Sequence, residues 1–328
     1  MSIQSFLEVN SATSKTALFS GFQYAVGDAG EVSSGFGGFL DKGQDQPEIN
    51  SETLFDLASL TKLYTATLAS ILHSKGEIDL DSPVSDWSSI ESTLGEVTTR
   101  ELLTHVSGLP AWWEEQETRE KTIAELLSLT PDSDQRGTLL YSCTGYSLFS
   151  VLAEQKYLTG FAELINNQLL KPLGLNHTFY NPPKDSGNIA RSEFGTALGV
   201  VHDPRARAMD GVSGNAGLFA NATDVLSFLT ELINRESTII TDSVREQLFS
   251  PTVKDEWHQA IGFRHLDEQR LGSAKNFFSH SGFTGTLAMV DVEGAKAGVM
   301  LSNRLIFETD RDSMAEVYRG FAERVKGD

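Results

Sequence analysis

The sequence predicts an α+β protein, of the α/β kind in which one antiparallel sheet is built by both chain termini and flanked by helices, with a mainly helical region inserted between them. Three observations predict it. Segments rich in Phe, Val and Tyr, punctuated by Gly, fall near both ends, at residues 16–40 and 277–303. The stretch between them reads mostly as helix and loop. No internal repeat, low-complexity tract or flexible linker divides the chain. Distant strand segments bury their apolar faces most simply in one shared sheet. Residues 1–76 and 251–328 are then the expected sheet subdomain and 77–250 the helical one, forming one unit.

The elements follow in order. "KTALFSGFQYAVGDAGEVSSGFGGFLDKG" reads as two strands around a turn at Gly27-Asp28-Ala29-Gly30. Residues 59–75 read as a helix, because Leu60, Leu63, Tyr64, Leu68, Ile71 and Leu72 fall on a 3.6-residue period. Gly76 after Lys75 is its expected stop. "TTRELLTHVSGLP" ends in a Gly/Pro break, and "TGYSLFSVLAEQKYLTG" and "GFAELINNQLLKPLG" read as consecutive helices ending at glycine. "NATDVLSFLTELINRES" opens on a capping cluster and continues as an amphipathic helix. "NFFSHSGFTGTLAMVDVEGAKAGVMLSNR" reads as two strands joined at Glu293-Gly294, and a helix over 311–325 closes the chain.

Composition narrows the function. The 26 basic and 45 acidic residues leave a formal charge of −19. With no Lys/Arg run, that argues against nucleic acid and against anionic membranes as partners. A single cysteine, Cys143, precludes an internal disulfide. The N-terminus lacks the basic-then-apolar pattern of a signal peptide, and no stretch is long and apolar enough to span a bilayer, so a cytoplasmic location is expected.

Chemistry concentrates at "SLTK". Serine is a weak nucleophile without an adjacent base, and Ser59 and Lys62, three apart on a helix, share a face. A helix N-terminus would favour negative charge developing at Ser59. The plain alternative is a capping serine and a solvent-facing lysine. Against it, this is the only S-x-x-K in the chain, and Lys62 lies in a helix apolar on most of its circumference. A lysine buried there calls for a functional explanation, and desolvation with nearby positive charge would lower its pKa towards that of a base. No G-x-S-x-G elbow, H-E-x-x-H, Walker A loop or Cys/His metal pattern competes, and no cofactor or metal is implied.

Several ordered segments over roughly residues 16–325 resemble the serine β-lactamase and penicillin-binding-protein superfamily, in particular the class C β-lactamase-like serine hydrolases, which include esterases and D-stereospecific peptidases. They are "SLTK" at 59–62, "ELLTHVSGLP" at 101–110, "YSCTGY" at 141–146, "GVSGNAGLFANATDVLSF" at 211–228 and "HSGFTGT" at 280–286. The resemblance implies Ser59 as acyl-accepting nucleophile, Lys62 as base partner and Tyr141 as second base or proton shuttle. His280 stands at the Lys-Thr-Gly strand, where it would donate to a substrate carboxylate or hold Tyr141. Gly282 would let substrate approach that strand. The N–H groups of Ser59 and Phe283 would form the oxyanion hole. Cys143 stands where the family has Asn or Asp, and a thiol is a poorer hydrogen-bonding partner. With His280 in place of lysine, this points away from efficient β-lactam hydrolysis.

The resulting expectation is a Ser-Lys-Tyr hydrolase that passes through an acyl-enzyme. Its substrates would be small esters or D-amino-acid-containing peptides and muropeptides, and a covalent β-lactam adduct is possible. Two alternatives stand beside it. One is a class C-type β-lactamase; the other is a catalytically silent relative that binds a peptide or cell-wall fragment. Oligomeric state is not legible.

Overall fold

The structure is a computed structural model that describes all residues except 12–16, 29, 44, 184–186, 254–257, 266–276 and 328. The strands are β1 (Gly21–Asp28), β2 (Glu31–Gly38), β3 (Phe55–Asp56), β4 (Thr178–Tyr180), β5 (Leu218–Ala220), β6 (Arg264–His265), β7 (Phe277–Gly282), β8 (Thr286–Asp291) and β9 (Lys296–Ser302). Six of them form one antiparallel sheet in the order β2-β1-β9-β8-β7-β6. The two ends of the chain meet at its centre, where β1 pairs with β9 through Phe22↔Ser302 and Tyr24↔Met300. The shared sheet is thus as expected. Of the β1–β2 turn, Ala29 lies outside the described residues.

Both faces of this sheet are covered, so its inner strands read as nearly unbroken apolar runs. Alternate residues separate the two cores. Phe22, Tyr24, Leu287, Met289 and Met300 face Leu7 and the C-terminal helix Arg311–Lys326, through Phe321 and Val325. Ala25, Ala288, Val290, Val299 and Leu301 face the other way. There they meet the helix Ala222–Ile233, whose Asn221 cap accepts from Asp224 N, and the central helix Thr61–Ser74. Tyr64 and Phe228 stack between those two helices at 4.0 Å.

Three local readings are corrected. The segment 277–303 holds three strands, because a second turn at Phe283–Gly285 splits its first half. Gly285, at φ +106°, makes that turn, and its N–H donates to Gly282 O. A lone Gly between threonines carries no strong turn signature. The helix Thr144–Tyr157 ends at Leu158, left-handed at φ 51°, rather than at glycine. A small sheet, β3-β5-β4, went unforeseen because strands of two and three residues show no periodicity. No helix among the described residues is long and apolar enough to cross a membrane.

Candidate active site

Ser59 lies where β7, the small sheet and the central helix converge. It sits in the 3-10 turn Ala58–Leu60 that leads into Thr61–Ser74, and not inside the α-helix. Ala58 before it is held left-handed at φ 46°, a conformation costly for a residue with a Cβ. The turn is clamped on both sides. Leu57 N donates to Leu218 O at 2.9 Å, and Thr286 Oγ1 donates to Leu57 O at 3.2 Å. Gly282 packs against it. A Cβ there would lie 2.6 Å from Leu57 O and would overlap Thr286 Oγ1. The close approach that Gly282 permits is therefore to the chain's own Ser59 turn.

Lys62 is fully buried one turn inward. Its Nζ donates to Ser59 Oγ at 3.0 Å, to Asn215 O at 3.1 Å and to Cys143 Sγ at 3.4 Å. Each of an ammonium's three donors thus has an acceptor. Burial is the largest influence and pulls the Lys62 pKa down, but the ionisable Cys143 and Tyr141 beside it outweigh burial, and the net shift is upward. The expectation of a lysine depressed into the range of a base is corrected: in the free site Lys62 is an ammonium. Burial pushes the Cys143 thiol up despite Lys62 beside it.

Tyr141, half-buried, has its ring centroid 5.2 Å from Lys62 Nζ. His105 and His280 flank its ring at 4.6 and 6.1 Å, and the Arg264 guanidinium lies 4.8 Å from it. His280 is buried, with Nδ1 2.9 Å from Ser281 O. A carbonyl only accepts, so Nδ1 carries the proton, and the partnerless Nε2 is an acceptor. Desolvation first, then Arg264 and Lys62, hold His280 well below the usual imidazole range. With Nδ1–H held by Ser281 O, the expectation that His280 donates to a substrate carboxylate is corrected; the alternative, that it holds Tyr141, is left with the 6.1 Å ring contact. Phe283, 39% exposed, stacks on His202 at 5.2 Å, with the Arg304 and Arg311 guanidinium groups 4.6 and 5.0 Å from its ring.

The structure therefore brings Ser59, Lys62, Tyr141, Cys143, His280 and Gly282 together in one cluster. It adds three groups that sequence reasoning did not single out. His105 is buried and left-handed at φ 64°, with Nδ1 2.9 Å from Ser142 O. Asn215 accepts from Lys62 on its backbone and from Ser147 Oγ on its side chain at 2.9 Å, and its side chain also faces the Cys143 thiol. Asp56 holds the turn before Ser59. His105 and Asn215 lie in segments legible as motifs and Asp56 just before one, but only the fold shows which side chains point inward.

A fold with a buried Ser-Lys pair at the junction of a terminal sheet and a helical region defines a class of serine hydrolases. The Beta-lactamase family model matches residues 12–323, and the chain belongs to that family. It is 30% identical over 309 residues, 78% of this chain and 69% of the relative, to the N-acetylmuramyl-L-alanine amidase of Bacillus subtilis (strain 168). The β-lactamase/D-alanine carboxypeptidase from Pseudomonas syringae superposes at TM-score 0.80 with 18% identity, covering 99% of this chain and 97% of that one. EstCE1, a hydrolase with promiscuous acyltransferase activity, superposes at 0.78 with 20% identity, covering 99% and 97%.

Proposed function

We propose that the chain hydrolyses small esters or D-amino-acid-containing peptides and muropeptides through an acyl-enzyme on Ser59. The observation that carries this reading is the 3.0 Å contact between Ser59 Oγ and a fully buried lysine. Burying an ammonium is costly, and a capping serine would not need it. The relative named as an N-acetylmuramyl-L-alanine amidase supports a cell-wall-derived amide among the substrates.

Ser59 Oγ attacks the carbonyl carbon, and the oxygen that becomes negative is received by the N–H groups of Ser59 and Phe283. Neither N–H donates to a backbone carbonyl among the described residues, which leaves both available. The serine proton passes to the Lys62–Tyr141 pair, which returns it to the departing alcohol or amine; water then repeats the sequence and frees the acid. Because Lys62 begins as an ammonium, attack requires that it first give up a proton.

Intact-mass and peptide analysis after incubation with a fluorophosphonate, beside turnover of short p-nitrophenyl esters, D-alanyl peptides and nitrocefin, tests the proposal. An adduct on Ser59 with turnover of an ester or peptide is the expected result; no adduct on Ser59 refutes it. Cys143 in place of a carboxamide keeps one second reading open, a protein that binds without turnover. That reading predicts an adduct on Ser59 with every substrate left intact.

A further inference from the structure

Asp56 is buried at 2% exposure, three residues before the nucleophile, in strand β3. A carboxylate removed from water is costly unless its oxygens are satisfied, so its partners are informative. Oδ1 accepts from Ala58 N at 2.8 Å, and Oδ2 accepts from His202 N at 2.7 Å. The Asp56 backbone carbonyl accepts from Thr284 Oγ1 at 2.7 Å. These contacts reach three separate pieces of chain. Ala58 is the left-handed residue that aims Ser59 and its N–H. Thr284 follows Phe283, whose N–H is the second oxyanion donor in the proposed reaction. His202 is the residue whose ring stacks on Phe283.

We propose that Asp56 is the positioning residue of the oxyanion hole, setting the separation of the Ser59 and Phe283 N–H groups by tethering the nucleophile turn to the 283–284 turn and to the His202 loop. This rests on the reading of Ser59 and Phe283 given above. The carboxylate does not reach the reacting atoms; it acts through Ala58 and His202, while the backbone carbonyl of the same residue holds Thr284. Two N–H groups stabilise an oxyanion only when both point at one spot, and misplacement by about 1 Å costs on the order of 100-fold in rate. Asparagine at 56 keeps the shape but turns one acceptor into a donor facing an N–H group, so one tether must open.

The test compares the full chain with Asp56→Asn, measuring kcat and KM on a short p-nitrophenyl ester and the inhibition constant of phenylboronic acid, whose serine adduct is a tetrahedral anion. The expected result is a kcat lower by roughly 10- to 100-fold with KM within about threefold. Boronate affinity should fall in step with kcat, and fluorophosphonate should still label Ser59, more slowly. A merely structural role would not weaken the boronate while sparing KM. If Asp56→Asn does not fold, Thr284→Val, close to isosteric, cuts the second tether; a several-fold fall in kcat and in boronate affinity is expected. Wild-type kcat in the folded variant, or a loss confined to KM, overturns the assignment of Asp56. A wild-type chain that neither labels at Ser59 nor turns over ester overturns the oxyanion-hole reading and this inference with it.

Discussion

At the scale of single residues, the centre is governed by how Lys62 is paired. Its ammonium is shared among Ser59, Asn215 and Cys143, and that sharing fixes its aim, while Cys143 and Tyr141 hold its pKa up against burial. Ser59→Ala removes one of three acceptors, so the stability cost is on the order of 1 kcal/mol while turnover is abolished. Ester hydrolysis and the melting temperature, measured together, check this; an active alanine variant would rule Ser59 out. The upward shift of Lys62 sets a pH dependence. A reaction that needs Lys62 to give up its proton gains rate as pH rises into the alkaline range. His105 and His280, both held well below the usual imidazole range by burial, contribute no rising limb near pH 6.5. A kcat/KM profile that climbs to a plateau between pH 6 and 7 would contradict this assignment.

At the scale of elements, close backbone approach matters more than helix or strand propensity. Strand β7 can lie against the Ser59 turn only because residue 282 has no Cβ. Gly282→Ala is expected to push β7 away from Leu57 and to destabilise the fold by about 1–3 kcal/mol. Activity should fall further than that stability change explains. Thermal melting beside kcat separates the two effects, and a folded variant with wild-type kcat would show that the approach is not needed. The helix Thr144–Tyr157 offers the opposite case. Leu158, 91% exposed and left-handed, occupies a position that glycine takes without strain. Leu158→Gly should stabilise the protein by about 0.5–1 kcal/mol without changing turnover. A lower melting temperature would contradict that.

Across the whole molecule, buried neutral histidines tie stability to pH. His105 and His280 have folded-state pKa values well below the unfolded 6.5. The unfolded chain therefore binds more protons below about pH 6.5, and stability is full above that pH and lost as pH falls towards the folded values. Each contributes a slope of about 1.4 kcal/mol per pH unit within its window. Asp56 and Asp224 act in the opposite sense: burial raises them above 3.8, so ionising them as pH rises costs stability at the acid end of the range. Urea unfolding between pH 5 and 7 should show the loss, and His280→Asn should flatten the slope by one histidine's share. An unchanged slope would place the effect elsewhere.

Chain-local signals by themselves determined the shared terminal sheet, the central helix, the capped helix after Asn221 and the Ser59–Lys62 pair. Hydrophobic period, capping residues and a three-residue spacing are properties of neighbours along the chain, and they survive without any knowledge of the fold. They did not show that β7 and β8 are separate strands, because one left-handed Gly285 decides it. They did not foresee the small sheet, whose strands are too short to have a period. The protonation states lay out of reach as well. The Lys62 pKa is held up by Cys143 and Tyr141, which arrive from 79 or more positions away, and that of His280 is held down by burial first and then by Arg264 and Lys62. Asp56 lies three residues from Ser59, yet its partners at 202 and 284 are far off in sequence. Pattern fixes which residues can do chemistry; tertiary packing fixes their charge and aim, because desolvation and hydrogen bonding depend on the groups that surround them in space.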